Sequence, residues 1–359
     1  MGTLSVVPLL FLRFWISASI SCLDDEGNEI DWFIGYKFPR SFRYAFISPG
    51  VQSWRNSSHN ISTGGMLYKT YEAMYKLVNE TSALFGLYND EKSDSPTMSH
   101  YYWWGHMKGA FAFDKSGTGF WIIHSVPKLS EEKGRYVYPF TGFVYGQHFF
   151  CVSLNNSFLT SLVTQLAVSR PWIQDSYISP ELAARYPQIP LLFRNVSLTV
   201  NISETEPFYS LHGSLTMRHF SKSSACHKDL YADVIAPYLR LGLNVESWQH
   251  GENEPSICNS GSPAVFNVQS VNFSLLDVHF LSSQDHAKWA VTLRTHSAPV
   301  NDMWVCLGDL NRQFSQFNRG GGTMCLQSSR IWEAFYSLIY SVEPCKVTPR
   351  IRSTCCFMD

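Results

Sequence analysis

The chain has 359 residues, 45% of them hydrophobic and 15% aromatic, enough to bury a core in one large or two medium domains. Only 16% are charged, which excludes a disordered chain. The formal net charge of −1 excludes a constitutively basic nucleic-acid binder, although protonating all 12 histidines carries the balance towards +11.

Met1 to Ser21 reads as a targeting segment. Leu4–Leu12 is apolar, Phe14-Trp15-Ile16 extends the run, and Ser17, Ala18, Ser19 and Ser21 are small residues leading to Cys22. Arg13 interrupts the apolar stretch and no Lys precedes it, so a buried N-terminal strand or a membrane anchor is the competing reading. No later run reaches the roughly 18 apolar residues of a spanning helix, so stable membrane insertion is not expected. Asp31–Ile34 and Tyr44–Ile47 read as short strands, Met66–Val78 as an amphipathic helix, and Glu91–Ser99 as a polar loop.

The stretch Trp103–Pro127, WWGHMKGAFAFDKSGTGFWIIHSVP, reads as a β-hairpin: two apolar runs around a Gly-rich turn. With His106–Phe113 as a strand, His106 and Lys108 lie on one face. His124 closes the second run. Cys151 follows, then a helix over Ser157–Ser169, then Arg170–Pro190 as a proline-rich connection between the halves that holds a short helix, SPELAARYP (Ser179–Pro187). Pro207–Val291 is a mixed region in which Val265–Val271 is strand-like.

The His-x-Lys pair returns once, 180 positions later, as His286 and Lys288. A turn-rich segment (Arg294–Asp302), an apolar run (Met303–Leu307), Gly308–Arg312, Cys325 and a helix over Ser329–Ser341 repeat the earlier order. An order that occurs twice is an internal duplication. The expected fold is therefore one mixed α/β unit of two similar halves, 22–190 and 191–359. Each would have a central sheet flanked by helices, and the two would share one site.

Two His–Lys pairs suit a phosphate. Imidazole serves as nucleophile or proton donor near neutral pH, and ammonium offsets charge on phosphoryl oxygens. A half-exposed strand face is the bland reading of either pair alone. A metal is the rival reading, but no HxH, HExxH or paired CxxC spacing occurs, and a Lys beside each His repels a cation. No cofactor is expected. Gly320-Gly321-Gly322 suits an amide nest for phosphate or a plain tight turn.

Nine cysteines, with at least one thiol left over, point to an oxidising secretory route. So do the N-glycosylation sequons at Asn56, Asn60, Asn79, Asn155, Asn195, Asn201 and Asn272.

The duplicated motif resembles the phospholipase D superfamily, and the surrounding sequence resembles the deoxyribonuclease II family within it. The matching blocks are CLDDEGNEIDWFIGYKFP (Cys22–Pro39), GHMKGAFAFDKSGTGFWIIHSVP (Gly105–Pro127), DHAKWAV (Asp285–Val291) and CLGDLNRQFSQFNRGGGTMC (Cys306–Cys325). Asp114 lies one position later after Lys108 than the superfamily pattern places it, and the second copy has no Asp in that window. The deoxyribonuclease II group shares this departure, which counts against a lipid phosphodiesterase.

The resemblance implies a metal-free acid endonuclease that cuts DNA through a phosphohistidine, leaves 3′-phosphate and 5′-hydroxyl ends, and acts in lysosomal or apoptotic DNA degradation. It implies a catalytic set of His106, Lys108, His124, His286, Lys288 and Asn311, and disulfides Cys22–Cys151, Cys258–Cys345 and Cys306–Cys325. Cys226, Cys355 and Cys356 are left over. A hydrogen-bonded core histidine is the alternative for His124. A non-catalytic secreted glycoprotein that kept the fold is the alternative for the whole chain.

Overall fold

The computed structural model describes residues 19–345, apart from 52, 79, 91–103, 131, 259–260 and 295–299. The expected targeting segment therefore lies almost wholly outside the described residues, as do Asn79, the polar loop at 91–99, Cys355 and Cys356.

A small ribbon, β1 (Cys22–Leu23) and β2 (Glu29–Ile30), opens the fold. It leads into β3 (Trp32–Lys37), β4 (Tyr44–Ile47) and β5 (Arg55–Asn56). Then come β6 (Ala83–Asn89), β7 (Gly109–Asp114), β8 (Thr118–His124), β9 (Gln147–Asn155) and β10 (Trp172–Ile178). Apart from the ribbon, these strands form one eight-stranded sheet in the order β10-β6-β7-β8-β9-β3-β4-β5. Every pairing in it is antiparallel.

The second half supplies β11 (Ile202–Glu204), β12 (Phe208–Tyr209), β13 (Thr216–Lys222), β14 (Leu243–Glu246) and β15 (Val265–Phe273). It continues with β16 (Val278–Leu281), β17 (Trp289–Thr292), β18 (Trp304–Gly308), β19 (Gly321–Gln327) and β20 (Ile339–Val342). They form a ten-stranded sheet along β11-β13-β19-β18-β17-β14-β15-β16, with β12 on β13 and β20 on β15. The β14–β15 pairing is parallel and the others are antiparallel. The class is mixed α and β.

Alternation fixes which side of each strand faces what. Along β7 and β8, Phe111, Phe113, Trp121 and Ile123 enter a core that also holds Trp289, Val305, Leu307, Met324 and Leu326 of the second sheet. Ala110, Ala112, Phe120 and Ile122 point the other way, into a core with Met66, Tyr71 and Met74 of α1 (Gly65–Tyr75). The two sheets thus share their largest apolar cluster, while each half also packs a smaller cluster on its outer side.

Two of the helices lace the halves together. The short helices are α2 (Thr141–Val144), α4 (Pro180–Arg185), α5 (Gln188–Phe193), α6 (Ala236–Leu239) and α7 (Phe314–Phe317). The longer α3 (Leu159–Ser169) leaves the first sheet and packs against β13 and β19 of the second. From α8 (Ser329–Tyr336), the Ala334 carbonyl accepts from Trp54 Nε1 at 2.9 Å, and Arg330 donates to the carbonyls of Ser48 and Pro49 at 2.7 and 2.9 Å.

Two expectations are corrected. Arg170–Pro190 has the expected short helix at Pro180–Arg185 but also contains an edge strand, β10. The second helix stops at Tyr336, and Ile339–Val342 returns as a strand against β15. The pairs Cys22–Cys151, Cys258–Cys345 and Cys306–Cys325 are bonded, and Cys226 is buried. No helix among the described residues is long and apolar enough to cross a membrane.

Candidate active site

Neither His-x-Lys pair lies in a strand. β7 begins at Gly109 and β17 at Trp289, each directly after its lysine. The motifs are irregular segments leading into these strands, so their common facing comes from contacts and not from strand pleat. Both segments are pinned alike. His106 N–H donates to the Gly320 carbonyl at 2.7 Å, one residue before β19, and His286 N–H donates to the Gly146 carbonyl at 2.8 Å, one residue before β9. Each histidine is thereby held by the opposite half.

Glycine is required at this seam. A Cβ on Gly105 or on Gly320 would run into the Ser169 carbonyl at the end of α3. Gly321 and Gly322 are ordinary strand residues of β19, and none of Gly320, Gly321 and Gly322 has positive φ. The triple glycine is therefore neither a nest nor a tight turn. Its first member lets two backbones touch, and Gly322 leaves room for the ring of His219.

Around His106 the first half supplies charge. Its Nδ1 lies 2.7 Å from the Asp309 carbonyl, which only accepts, so Nδ1 carries the proton and the neutral ring keeps its lone pair on Nε2. Asp90, just past β6, pairs with Lys108 at 2.7 Å and lies 3.6 Å from His106 Nε2. Burial opposes an ionised Asp90, yet the neighbouring Lys108 ammonium holds it well below the usual carboxylate range. Burial and the Lys108 charge together hold His106 below the usual histidine range.

Around His286 the neighbours are aromatic. Its ring stacks on Tyr145, with centroids 4.2 Å apart and planes 7° from parallel, and Trp248 lies 4.2 Å away on a tilted plane. Burial, then the charges of Lys288 and Lys108, push its pKa down to about 2. Lys288 Nζ donates to the His286 carbonyl at 2.5 Å; burial and the Lys108 charge lower it to about 7. Lys108 acts on His286 and Lys288 acts on His106, so the two pairs share one electrostatic environment.

His124, at the end of β8, is 1% exposed, and the Val126 backbone is the polar group against its ring, at a geometry too poor for a well-formed hydrogen bond. Its backbone N–H donates to the Lys108 carbonyl at 3.1 Å, which fixes it beside the first pair, and burial lowers its pKa to about 3. Asn311 stands one step back. Its Oδ1 accepts the Trp248 N–H at 3.2 Å, so it holds the aromatic that flanks His286. Arg312 is committed elsewhere, to Asp229 at 2.9 Å and Asn267 at 2.5 Å in the core.

Several site residues lie outside the two His-x-Lys pairs themselves. Asp90 and Tyr145 belong to neither His-x-Lys block. Asp309 precedes Asn311 by two; burial raises it to about 7. Asp285 takes the Tyr36 hydroxyl as donor, and burial raises it to about 6. His148 Nδ1 accepts the Lys288 N–H at 3.2 Å. Period-2 alternation along β9 could have flagged His148 and Gln147 as polar residues in an apolar strand. Among the described residues, no group of His, Cys, Asp and Glu side chains is arranged as a metal's ligands.

A sequence model of deoxyribonuclease II matches residues 21–345. The chain is 33% identical to deoxyribonuclease-2-beta of Mus musculus over 340 residues, covering 91% of this chain and 93% of that protein. Against deoxyribonuclease-2-alpha of Mus musculus it is 30% identical over 352 residues, covering 94% and 97%. Against cell-death-related nuclease 7 of Caenorhabditis elegans it is 30% identical over 348 residues, covering 92% and 89%.

Proposed function

The chain belongs to the deoxyribonuclease II family, and on that premise we propose that it hydrolyses DNA without a metal through two histidines of unequal role. The observation that carries this reading is the pinning of each His-x-Lys segment to a glycine carbonyl of the opposite half.

His106 is the nucleophile. Its proton is held on Nδ1 by a carbonyl, which leaves Nε2 to attack phosphorus. The P–O5′ bond breaks, the 5′ oxygen takes a proton from His286, and a 3′-phosphohistidine remains. Attack makes the His106 ring cationic, and Asp90 beside it offsets that charge. Water then displaces His106 from phosphorus with His286 as base, giving a 3′-phosphate and a 5′-hydroxyl. Lys108 and Lys288 hold the non-bridging oxygens. His124, held beside Lys108, would add a hydrogen bond to a phosphate oxygen. Asn311 acts through Trp248 on the His286 ring.

Acid dependence follows from the lysines. With the site free, burial and two nearby ammonium groups keep His286 neutral. A bound phosphodiester cancels part of that positive charge, so His286 gains its proton as DNA binds. A group whose pKa rises on binding takes up a proton and favours binding as pH falls. The exposed sequons at Asn56, Asn60, Asn155 and Asn201, with three disulfides, support passage through the secretory pathway, removal of a leader and a lysosomal site of action. The two halves, 22–190 and 191–359, form a phospholipase D-like duplicated pair. The recurrence of motif, hairpin, third strand and helix in β7–β8–β9–α3 and β17–β18–β19–α8 supports this.

The test is nicking of plasmid DNA at pH 5 with excess chelator, with turnover quenched in alkali to preserve a phosphohistidine. Cleavage should persist and phosphate should map to the peptide carrying His106. Activity that returns only with magnesium or calcium overturns the metal-free reading, and phosphate on His286 reverses the roles.

A further inference from the structure

We propose that the mature chain begins at Ile20 and that its new α-ammonium forms an ion pair with Asp114. The inference rests on the leader removal proposed above, since it requires that a preceding segment be cut away.

Residues 20–23 are already pinned into the fold. Ile20 N–H donates to Asp114 Oδ2 at 2.9 Å, Cys22 N–H to Ser153 Oγ at 3.0 Å, and Leu23 N–H to Thr70 Oγ1 at 3.1 Å. The Ile20 side chain is 5% exposed and shares an apolar cluster with Leu77 and Ala83, while Ser21 is 3% exposed. Asp114 closes β7, and its Oδ1 accepts the Ser116 N–H at 2.8 Å, so each of its oxygens has a fixed donor.

Leader cleavage needs small residues at the last and third-last positions before the cut. A cut after Ala18 places Ile16 at the third-last position and is disfavoured. A cut after Ser21, where composition alone sets the boundary, satisfies the rule with Ser21 and Ser19 but discards two buried residues and takes the N–H from Asp114. A cut after Ser19 satisfies the rule with Ser19 and Ser17. It gives up only an exposed contact, Ser19 Oγ to Glu29 at 2.7 Å. It also turns a neutral amide against a carboxylate into an ammonium at the same place, a charge-assisted bond. Cleavage then adds an interaction that the longer chain cannot make.

The full chain should be secreted from animal cells, deglycosylated, and its N-terminal peptide read by mass spectrometry. Ile20 is the expected first residue. A start at Ser19 or Cys22 overturns the inference and leaves the secretory reading intact, whereas a chain still carrying Met1 overturns both. The α-amine should then be acetylated near neutral pH, folded and in urea. An ordinary α-amine has a pKa of about 8, and each unit added by an ion pair cuts its reactive fraction about tenfold. Labelling of the folded protein should be slower by at least that factor; equal rates overturn the pair. Asp114→Asn should abolish the protection, and if that variant is not secreted, the comparison of folded with unfolded wild type decides alone.

Discussion

At the scale of single residues the site divides into groups that react and groups that hold them. His106→Ala or His286→Ala removes one of two proton or phosphoryl carriers, and such groups contribute about 10²–10⁴-fold. Each variant should lose at least that much nicking at pH 5 with unchanged circular dichroism. Retention of more than a few per cent activity by either would end the two-histidine mechanism. Asp90 makes a different prediction. It is 2% exposed and its Lys108 partner 4%, so Asp90→Asn leaves a buried ammonium unpaired. Breaking such a pair costs about 3–5 kcal/mol, while replacing both partners is far milder. Denaturant unfolding should show the single variant strongly destabilised. Asp90→Asn combined with Lys108→Met should recover most of the stability and none of the activity. A neutral Asp90→Asn would mean that the pair does not hold this part of the site.

At the scale of elements the seam between the halves is backbone against backbone. Gly105→Ala and Gly320→Ala each drive a methyl into the Ser169 carbonyl, so each should cost about 1–3 kcal/mol. Each should also lower kcat, because the Gly320 carbonyl positions His106. Gly50→Ala, which meets nothing within 4 Å, is the control expected to be neutral in unfolding and in rate. Normal activity in both seam variants would show that the site does not depend on this contact. The same seam marks the limit of what the sequence makes legible. Periodicity finds the hairpins β7–β8 and β17–β18, because alternating apolar residues have a local cause. The meaning of Gly105 and Gly320 depends on α3, far away in the chain, so a triple glycine resembles a turn when it is a strand start. Asp90 is hidden for the same reason: a carboxylate at the end of β6 carries no mark of the lysine it meets. The motifs themselves are legible because they occur twice. Alternation alone would start the first strand at His106, but β7 starts at Gly109, since His and Lys are drawn out of the ladder by cross-half contacts.

Across the whole molecule, buried titratable groups set how it meets acid. His106, His124, His148, His219 and His286 are all held below the usual histidine range by burial, so acidification cannot bring the formal charge to +11. DNA binding then gains from surface histidines, a term that salt screens, while kcat depends on an enclosed proton transfer that salt affects much less. At saturating DNA and low salt, kcat should still fall above about pH 6; a level kcat to pH 8 would remove histidine acid catalysis. Stability carries the other consequence. His219 lies in β13, is fully buried and titrates near 3, against about 6.5 unfolded. A depressed folded pKa means that its contribution is complete above about 6.5 and is lost as pH falls towards 3. At pH 4.5 the loss is about 2–3 kcal/mol. Asp309, raised to about 7, works in the opposite sense. The folded state takes its proton first, so its contribution is present below the unfolded value of about 4 and is lost as pH rises through 7. Between pH 7 and 4.5 it adds about 2–3 kcal/mol, and Asp285, raised to about 6, adds to it. The five depressed histidines outweigh the raised Asp309 and Asp285, so wild-type unfolding free energy should be lower at pH 4.5 than at pH 7. Relative to wild type, His219→Gln should gain stability between pH 7 and pH 4.5 and Asp309→Asn should lose it, each by about 2–3 kcal/mol. Parallel pH dependences in all three proteins would show that these buried groups do not govern acid tolerance.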